Sequence, residues 1–273
     1  MNVIDIISLD FAQRAFFLGI LAALVSGALG TYVVAGRYAV FSDMLAHTSL
    51  AGVGIGIFLG FSPTLGGLGI AFLSALILWF SIRKRKYASD SVTMVLLSGG
   101  LALALIFSHF AKNSTISLET FLFGSILTIR PEEILYFTLA SLGIFFFLLF
   151  FGSGLKTVTL DPSYARSYLR TAHSLVELFF LLSVALFVGF SLKVIGGLLI
   201  GALLVISAIT AQSFSKSFLS VLWWSMFFNV IAVVLGIFFS FYFDVPTGPS
   251  IVLFLITQWI FVGFFRTVRP SIF

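Results

Sequence analysis

Asp43 and His47 stand four residues apart in the segment SDMLAHTSLAG (42–52), at the head of an otherwise apolar run. On a helix, side chains with this spacing lie on one face with their Cβ atoms about 5–6 Å apart. A carboxylate and an imidazole so placed can bind one divalent metal ion with bonds of about 2.0–2.2 Å. The sequence therefore predicts half of a metal site, whose remaining ligands must come from another helix or from water.

The same pair permits two other interpretations. The two side chains can form a hydrogen bond that holds two helices together, or Asp43 can lie at the cytoplasmic interface as a charge near a helix N-terminus. A charged group near the bilayer centre costs roughly 2.5–3.5 kcal/mol, so such residues usually face the bundle interior and mark an ion pathway. The spacing alone leaves all three interpretations open.

Few other side chains offer comparable chemistry. Asp244 ends the aromatic stretch LGIFFSFYFD and is the best candidate for a metal ligand from a second helix, with a solvated carboxylate in an external loop as the alternative. His109 is either an interfacial histidine or a ligand. We expect His173 to be solvated and Glu177 to be a rim or packing residue.

Composition indicates an integral membrane protein with a single domain, residues 1–273. Of the 273 residues 60% are hydrophobic and 9% are charged, and the mean hydropathy is +1.18, whereas soluble domains are about one quarter charged. The absence of cysteine excludes disulfides and thiolate metal sites. The net charge of +5 forms no basic stripe, so we expect no nucleic-acid partner.

The elements that must position these residues are membrane-spanning helices of about 20 apolar residues each. The sequence predicts an all-α, polytopic bundle of eight to nine transmembrane helices in a multi-pass membrane protein. The predicted spans are 12–36, 40–60, 63–82, 91–111, 132–152, 173–191, 194–213, 217–242 and 249–266.

Positive charge predicts the orientation of these spans. Lys and Arg concentrate in cytoplasmic loops, and the densest cluster is RKRK at 83–86. Counting spans from there places Arg37, the segment 153–172, Lys216 and the C-terminal tail in the cytoplasm. It leaves Lys112, Arg130 and Lys193 outside, together with the turn DVPTGPS (244–250).

Glycines predict where the helices approach one another most closely. Small residues let the backbones of neighbouring membrane helices pack together. The candidates for such bundle interfaces are Gly27, Gly30, Gly52, Gly54, Gly56, Gly197 and Gly201.

Two segments do not match a span. KNSTISLETFLFGSILTIRPEE, after the fourth span, is left unassigned between an external segment and a re-entrant half-helix. In the polar segment 154–174, Asp161 followed by Pro162 is a good N-cap and first-turn pair. It predicts a short helix at the cytoplasmic surface that serves as a docking element.

No G-x-x-x-x-G-K-[ST] motif occurs in the chain, so it cannot bind nucleotide phosphates in the P-loop manner. No arrangement of nucleophile and base occurs either. We therefore expect no enzymatic activity in this chain, and ATP-driven transport would need a separate ATPase subunit.

Five blocks in the chain together resemble the membrane permease subunits of zinc- and manganese-type ABC importers, which are related in fold to the vitamin B12 permease. The likeness covers nearly the whole chain. The blocks are GRYAVFSDMLAHTSLAGVGIG (36–56), ETFLFGSIL (119–127), LDPSYAR (160–166), IGGLLIGALLVISAITA (195–211) and FYFDVPTGPSIVL (241–253).

The resemblance implies an ATP-driven importer of zinc, manganese or iron that works by alternating access and holds no permanent cofactor. It implies a homodimer, two cytoplasmic ABC ATPase subunits and an extracytoplasmic metal-binding protein. Metal contact is carried over to Asp43, His47 and Asp244. The LDPSYAR block matches the helix that couples to the ATPase. This match implies contacts with the ATPase at Asp161, Pro162, Tyr164, Ala165 and Arg166.

The chain departs from the family pattern at two positions and leaves rival functions open. Leu169 stands where the family usually has Gly, and Ser207 where it usually has Pro; the second change should straighten a bent span. The main alternative function is a secondary metal transporter driven by an ion gradient, with Asp43 and His47 as a proton relay. A membrane anchor subunit of an unrelated complex is a weaker alternative.

Overall fold

The computed structural model describes residues 10–84, 89–110, 118–124, 131–169 and 172–268. All regular structure within these ranges is helical, as expected where a bilayer forces each segment to satisfy its own backbone hydrogen bonds. The helices are α1 (Asp10–Ala35), α2 (Ala39–Leu59), α3 (Pro63–Lys84), α4 (Ser89–Phe110), α5 (Leu118–Phe123), α6 (Pro131–Leu160), α7 (Pro162–Leu169), α8 (Ala172–Val194), α9 (Gly197–Gln212), α10 (Phe218–Phe243) and α11 (Thr247–Val268).

Eight of the described helices are long and apolar enough to cross a membrane. The exception among the nine predicted spans is α9, which has only 16 residues. At 1.5 Å per residue it is about 24 Å long, less than the roughly 30 Å of a bilayer core. The predicted membrane helix bundle is confirmed, and 194–213 is a shorter helix than the sequence predicted.

The start of α9 lies inside the bundle, where two left-handed glycines meet. Gly124, which follows α5, has φ 74°, and Gly196, which precedes α9, has φ 95°. A Cβ added to either residue would overlap the backbone beside the other. The short helix α5 therefore packs against the corner between α8 and α9, and Gly197 begins α9 beside Leu50, in the middle of α2.

Glycines also set the closest approaches between the long helices, as the sequence predicted. Gly52 on α2 and Gly66 on α3 face each other, and a Cβ on either would overlap the carbonyl group of the other. Gly27 on α1 lies against the backbone of Met226 on α10. Gly30 lies against the backbone of α9. These contacts hold α2 in the centre of one half of the bundle and α1 in the other.

A buried amide joins three helices. Asn229 on α10 is fully buried, and its Nδ2 donates to the Ala23 carbonyl at 3.2 Å, to Ser26 Oγ at 3.0 Å and to the Leu203 carbonyl at 3.0 Å. It therefore links α10 to both α1 and α9.

Ser207, which stands where the family usually has proline, lies within an unbroken α9. Its hydroxyl donates to the Leu203 carbonyl at 2.9 Å and pairs with Ser225 Oγ at 3.0 Å. Whether this straightens the span relative to the family stays a prediction.

Several charged groups mark the two ends of the bundle. Lys193 Nζ bonds Glu133 Oε1 at 2.7 Å at the end predicted to be external. Arg83 and Lys84 close α3 at the other end. Other residues that carried the orientation argument lie outside the described ranges; they are Arg85, Lys86, Lys112 and Arg130.

The expectations for His173 and Glu177 have different outcomes. His173 is only 8% exposed, so its expected solvation is wrong; it is the second residue of α8 and its side chain is buried. Glu177 is also buried, and the expectation of a packing role is confirmed by a hydrogen bond to Tyr38.

Candidate metal site

Asp43 and His47 share the only face of the N-terminal half of α2 that is not buried within the described chain. Helix α2 begins after a tight turn in which Arg37 has φ 60°. Along residues 41–50 every side chain except those of Asp43 and His47 is buried. Val40, which precedes them on the same face, is 44% exposed. The helix thus presents one acid and one imidazole, one turn apart, outward from the packed core.

Helix α9 forms the neighbouring wall of the site. The carboxylate of Asp43 lies against the Cα of Gly201, in the space that a side chain at that position would fill. Gly201 was predicted to let two helix backbones approach each other closely. Instead, the space beside its Cα holds the Asp43 side chain.

The adjoining face of α9 is apolar and partly exposed. Leu198 is 55% and Ile209 38% exposed, and Ala202 and Val205 between them are half-buried. Residues three and four apart line one helix face, so these four form a continuous stripe beside the Asp43–His47 face. We call it the α9 stripe.

One nitrogen of the His47 imidazole has no hydrogen-bond partner among the described residues. This nitrogen, Nδ1, is shielded from solvent. A hydrogen bond that ties two helices together, the first alternative for this pair, is therefore not observed at this nitrogen.

The pair lies in the first half of α2, a helix long and apolar enough to span a membrane. With a rise of 1.5 Å per residue, Asp43 is about 6 Å and His47 about 12 Å along the axis from the start of α2. The bilayer core is roughly 30 Å thick. Both side chains therefore lie in the half of the bundle nearer to Arg83 and Lys84. Asp43 at the cytoplasmic interface, the second alternative for this pair, stays open.

The structure does not bring the other candidate ligands to this pair. The described residues contain no group of three or more His, Cys, Asp or Glu side chains that could hold a metal ion. Asp244 is exposed and forms the C-cap of α10 with φ 52°. His109 lies in the last turn of α4 with its ring beside Phe110. Metal contact by Asp244 stays a prediction.

The short helix α7 forms where the sequence predicted it. The Asp161 carboxylate accepts hydrogen bonds from the backbone N–H groups of Ser163 at 3.1 Å and Tyr164 at 2.9 Å. This is the expected N-cap, and Pro162 occupies the first helical position.

One side chain anchors α7 and its neighbours point outward. Ala165 is fully buried, and α7 packs on α6 and α8. Tyr164 is 56% exposed, and Pro162 and Arg166 are also exposed. The predicted partner contacts of this segment stay predictions, and burial restricts Ala165 to holding its exposed neighbours in place.

Sequence reasoning missed one contact near this helix. The Tyr38 hydroxyl, just before α2, donates a 2.7 Å hydrogen bond to Glu177 Oε1 on α8. Burial raises the pKa of Tyr38 well above its usual range, and the negative charge of Glu177 raises it further. The sequence signal was an acid one turn inside an apolar span, which needs a buried partner.

Comparison with known proteins identifies a matching family and proteins of similar sequence. The model of the ABC 3 transport family matches residues 8–266. The chain is 27% identical over 241 residues to the high-affinity zinc uptake system membrane protein ZnuB of Haemophilus influenzae, covering 88% of this chain and 91% of that protein. It is 25% identical over 243 residues to the manganese transport system membrane protein MntC of Listeria innocua, covering 89% and 86%.

A solved structure is also similar to this chain. The fold is similar to that of PsaBC from Streptococcus pneumoniae, solved in complex with Fab, with a TM-score of 0.83 and 26% sequence identity. The similarity covers 95% of this chain and 93% of that one.

Proposed function

The chain belongs to the ABC 3 transport family and is a multi-pass membrane protein, and from this premise we propose that it is the permease subunit of an ATP-driven importer of divalent transition-metal ions. The observation that carries the proposal is the pairing of Asp43 and His47 on one outward face of α2 within the membrane span. The metal is cargo, and the chain needs no resident cofactor.

The donor set suits the cargo. Carboxylate oxygen and imidazole nitrogen bind Zn, Mn and Fe alike. The names of the relatives agree, since one belongs to a zinc and another to a manganese transport system. Two ligands per chain hold an ion loosely, which conduction requires.

The exposed position of the pair supports a homodimer. A carboxylate that faced lipid would cost roughly 2.5–3.5 kcal/mol. A second copy that packed on the α9 stripe would cover that face. Because a two-fold interface uses the same patch on both subunits, it would bring a second Asp43 and a second His47 to the axis. The dimer would thus offer four protein ligands to one ion.

Energy must come from separate subunits, because the chain has no P-loop motif. We propose that two cytoplasmic ATPases bind the exposed side of α7, through Asp161, Pro162, Tyr164 and Arg166, and that ATP binding moves this helix. The movement switches the bundle between outward-open and inward-open states. An extracytoplasmic metal-binding protein delivers the ion on the side of Lys193.

Uptake of radioactive zinc and manganese into cells tests this proposal against a gradient-driven transporter. We expect uptake by the wild-type chain to stop when the partner ATPase carries a substitution in its own P-loop lysine, and to survive a protonophore when ATP is maintained. Uptake that persists without a working ATPase and stops with the protonophore would instead support the proton-relay alternative.

A further inference from the structure

The helix that carries Asp43 and His47 is tied at its cytoplasmic end to the helix that follows α7. Tyr38 directly precedes α2, and its hydroxyl lies 2.7 Å from Glu177 Oε1, one turn into α8. Glu177 is only 9% exposed. A hydrogen bond to an ionised partner is roughly twice as strong as a neutral one, so this is a firm link between two residues that are 139 positions apart in the chain.

The aromatic ring of Tyr38 fills the space between the same two helices. Its centroid lies 6.2 Å from that of Phe41 on α2 and 6.2 Å from that of Phe180 on α8. Both phenylalanines are 1% exposed. The hydroxyl is therefore held in one direction, and a shift of the first turns of α8 must move the start of α2 or break the bond.

Helix α7 is close enough to drive such a shift. Two residues, 170 and 171, separate α7 from α8, and α7 packs on α8 through its own contacts. The positive charge of Arg166 on α7 acts on the Tyr38 hydroxyl. Movement of α7 can therefore reach Glu177 through the packing of α7 on α8.

The first turn of α8 has a second attachment, to α3. Trp79 Nε1 donates a 3.0 Å hydrogen bond to the Ser174 carbonyl, and the Arg83 guanidinium lies 5.4 Å from the centroid of the Trp79 indole. Helix α8 is thus held between α3 on one side and α2 on the other, and Tyr38 is the hydrogen-bonded connection to the metal-bearing helix.

We propose that the Tyr38–Glu177 hydrogen bond transmits the movement of α7 to the start of α2, and so shifts Asp43 relative to Gly201 when the ATPases change state. This inference rests on the proposed function and adds two positioning residues to it. Asp43 is about 6 Å along α2 from Ala39, so a rigid helix carries a displacement at Tyr38 to the carboxylate with little loss.

The test is the number of metal ions transported for each ATP hydrolysed. We would reconstitute the complex with its ATPases and binding protein in proteoliposomes, and measure uptake of radioactive zinc or manganese together with phosphate release. Tyr38→Phe and Glu177→Leu each remove the hydrogen bond and should each lower this ratio by about tenfold, the value of one charge-assisted hydrogen bond, with ATP hydrolysis retained. The double variant should be no worse than either single variant.

A purely structural bond would give a different result, because it would reduce uptake and ATP hydrolysis in proportion and leave the ratio unchanged. Tyr136→Phe, on the exposed surface of α6, is the matched control for loss of a tyrosine hydroxyl. We expect its ratio to equal that of the wild type.

A second measurement tests the inference even if the single variants fold poorly. The chain has no cysteine, so a Tyr38→Cys/Glu177→Cys variant can be bridged specifically by a short bismaleimide. Bridging should restore the ratio that the unbridged double variant has lost. An unrestored ratio, or a wild-type ratio in Tyr38→Phe, would overturn the inference and leave the proposed function intact. Absence of ATP-driven uptake by the wild-type complex would overturn both.

Discussion

The carboxylate of Asp43 on α2 occupies the space left by the missing side chain of Gly201 on α9. Within one chain this contact joins the proposed ligand to α9, a helix of 16 residues that is too short to span the membrane. It also aims the carboxylate toward the exposed face between α2 and the α9 stripe. The position of Asp43 therefore depends on a residue that has no chemistry of its own.

Gly201→Ala should displace the Asp43 carboxylate, because the added methyl group would overlap it. Substitutions that misplace a metal ligand typically lower metal affinity by about 10–100-fold, and we expect a loss of uptake in this range at limiting metal. Gly69→Ala on α3 is the matched control, since its Cβ would meet nothing within 4 Å. Equal uptake by the two variants would refute the positional role of Gly201.

Asp43→Asn and His47→Gln should each abolish most uptake, because each removes a charge or a nitrogen donor while keeping the size of the side chain. The measurement is the initial rate of radioactive zinc or manganese uptake at equal amounts of protein in the membrane. Asp90→Asn, in the first turn of α4, is the control and should transport normally. Normal rates in both site variants would remove the pair from the pathway.

Asp161→Ala should weaken binding of the ATPase subunit, because loss of an N-cap costs a helix about 1 kcal/mol and loosens the exposed side of α7. Asp161→Asn keeps a capping oxygen and should restore the affinity. The dissociation constant of the purified chain and ATPase measures both effects. If Asn fails as badly as Ala, capping is not the reason for the loss, and the negative charge of Asp161 itself is needed for binding.

Asn229→Leu should destabilise the fold, because three hydrogen bonds that join α1, α9 and α10 are lost. Hydrogen bonds between membrane helices average about 0.6 kcal/mol each, so the free energy of unfolding should fall by about 1–2 kcal/mol. Unfolding in detergent measures it. Thr257→Val, an exposed residue that bonds only within α11, should change stability little, and a similar loss in both would contradict the special role of Asn229.

The sequence predicted the helices well because length and apolarity decide them. Each predicted span overlaps one described helix, and the local Asp161–Pro162 signal located α7. The spacing of Asp43 and His47 likewise required only helical periodicity. These features depend on residues that are neighbours in the chain.

The missed features depend on residues that are distant in the chain. The Asp43–Gly201 and Tyr38–Glu177 contacts join residues more than 130 positions apart, and no periodicity predicts which faces meet. The burial of His173 depends on how the polar segment before α8 packs against the bundle. The late start of α9 depends on two glycines, Gly124 and Gly196, whose backbones touch only in the folded chain.

Pulsed electron paramagnetic resonance of bound Mn²⁺ tests most directly whether the imidazole of His47 contacts the transported ion. In the complex of the chain with its ATPases, without the binding protein, we expect nitrogen modulation from an imidazole ligand. This modulation should disappear in His47→Gln and persist in His109→Gln and His173→Gln. Modulation that survives in His47→Gln, with Mn²⁺ still bound in the membrane-embedded site, would contradict the account.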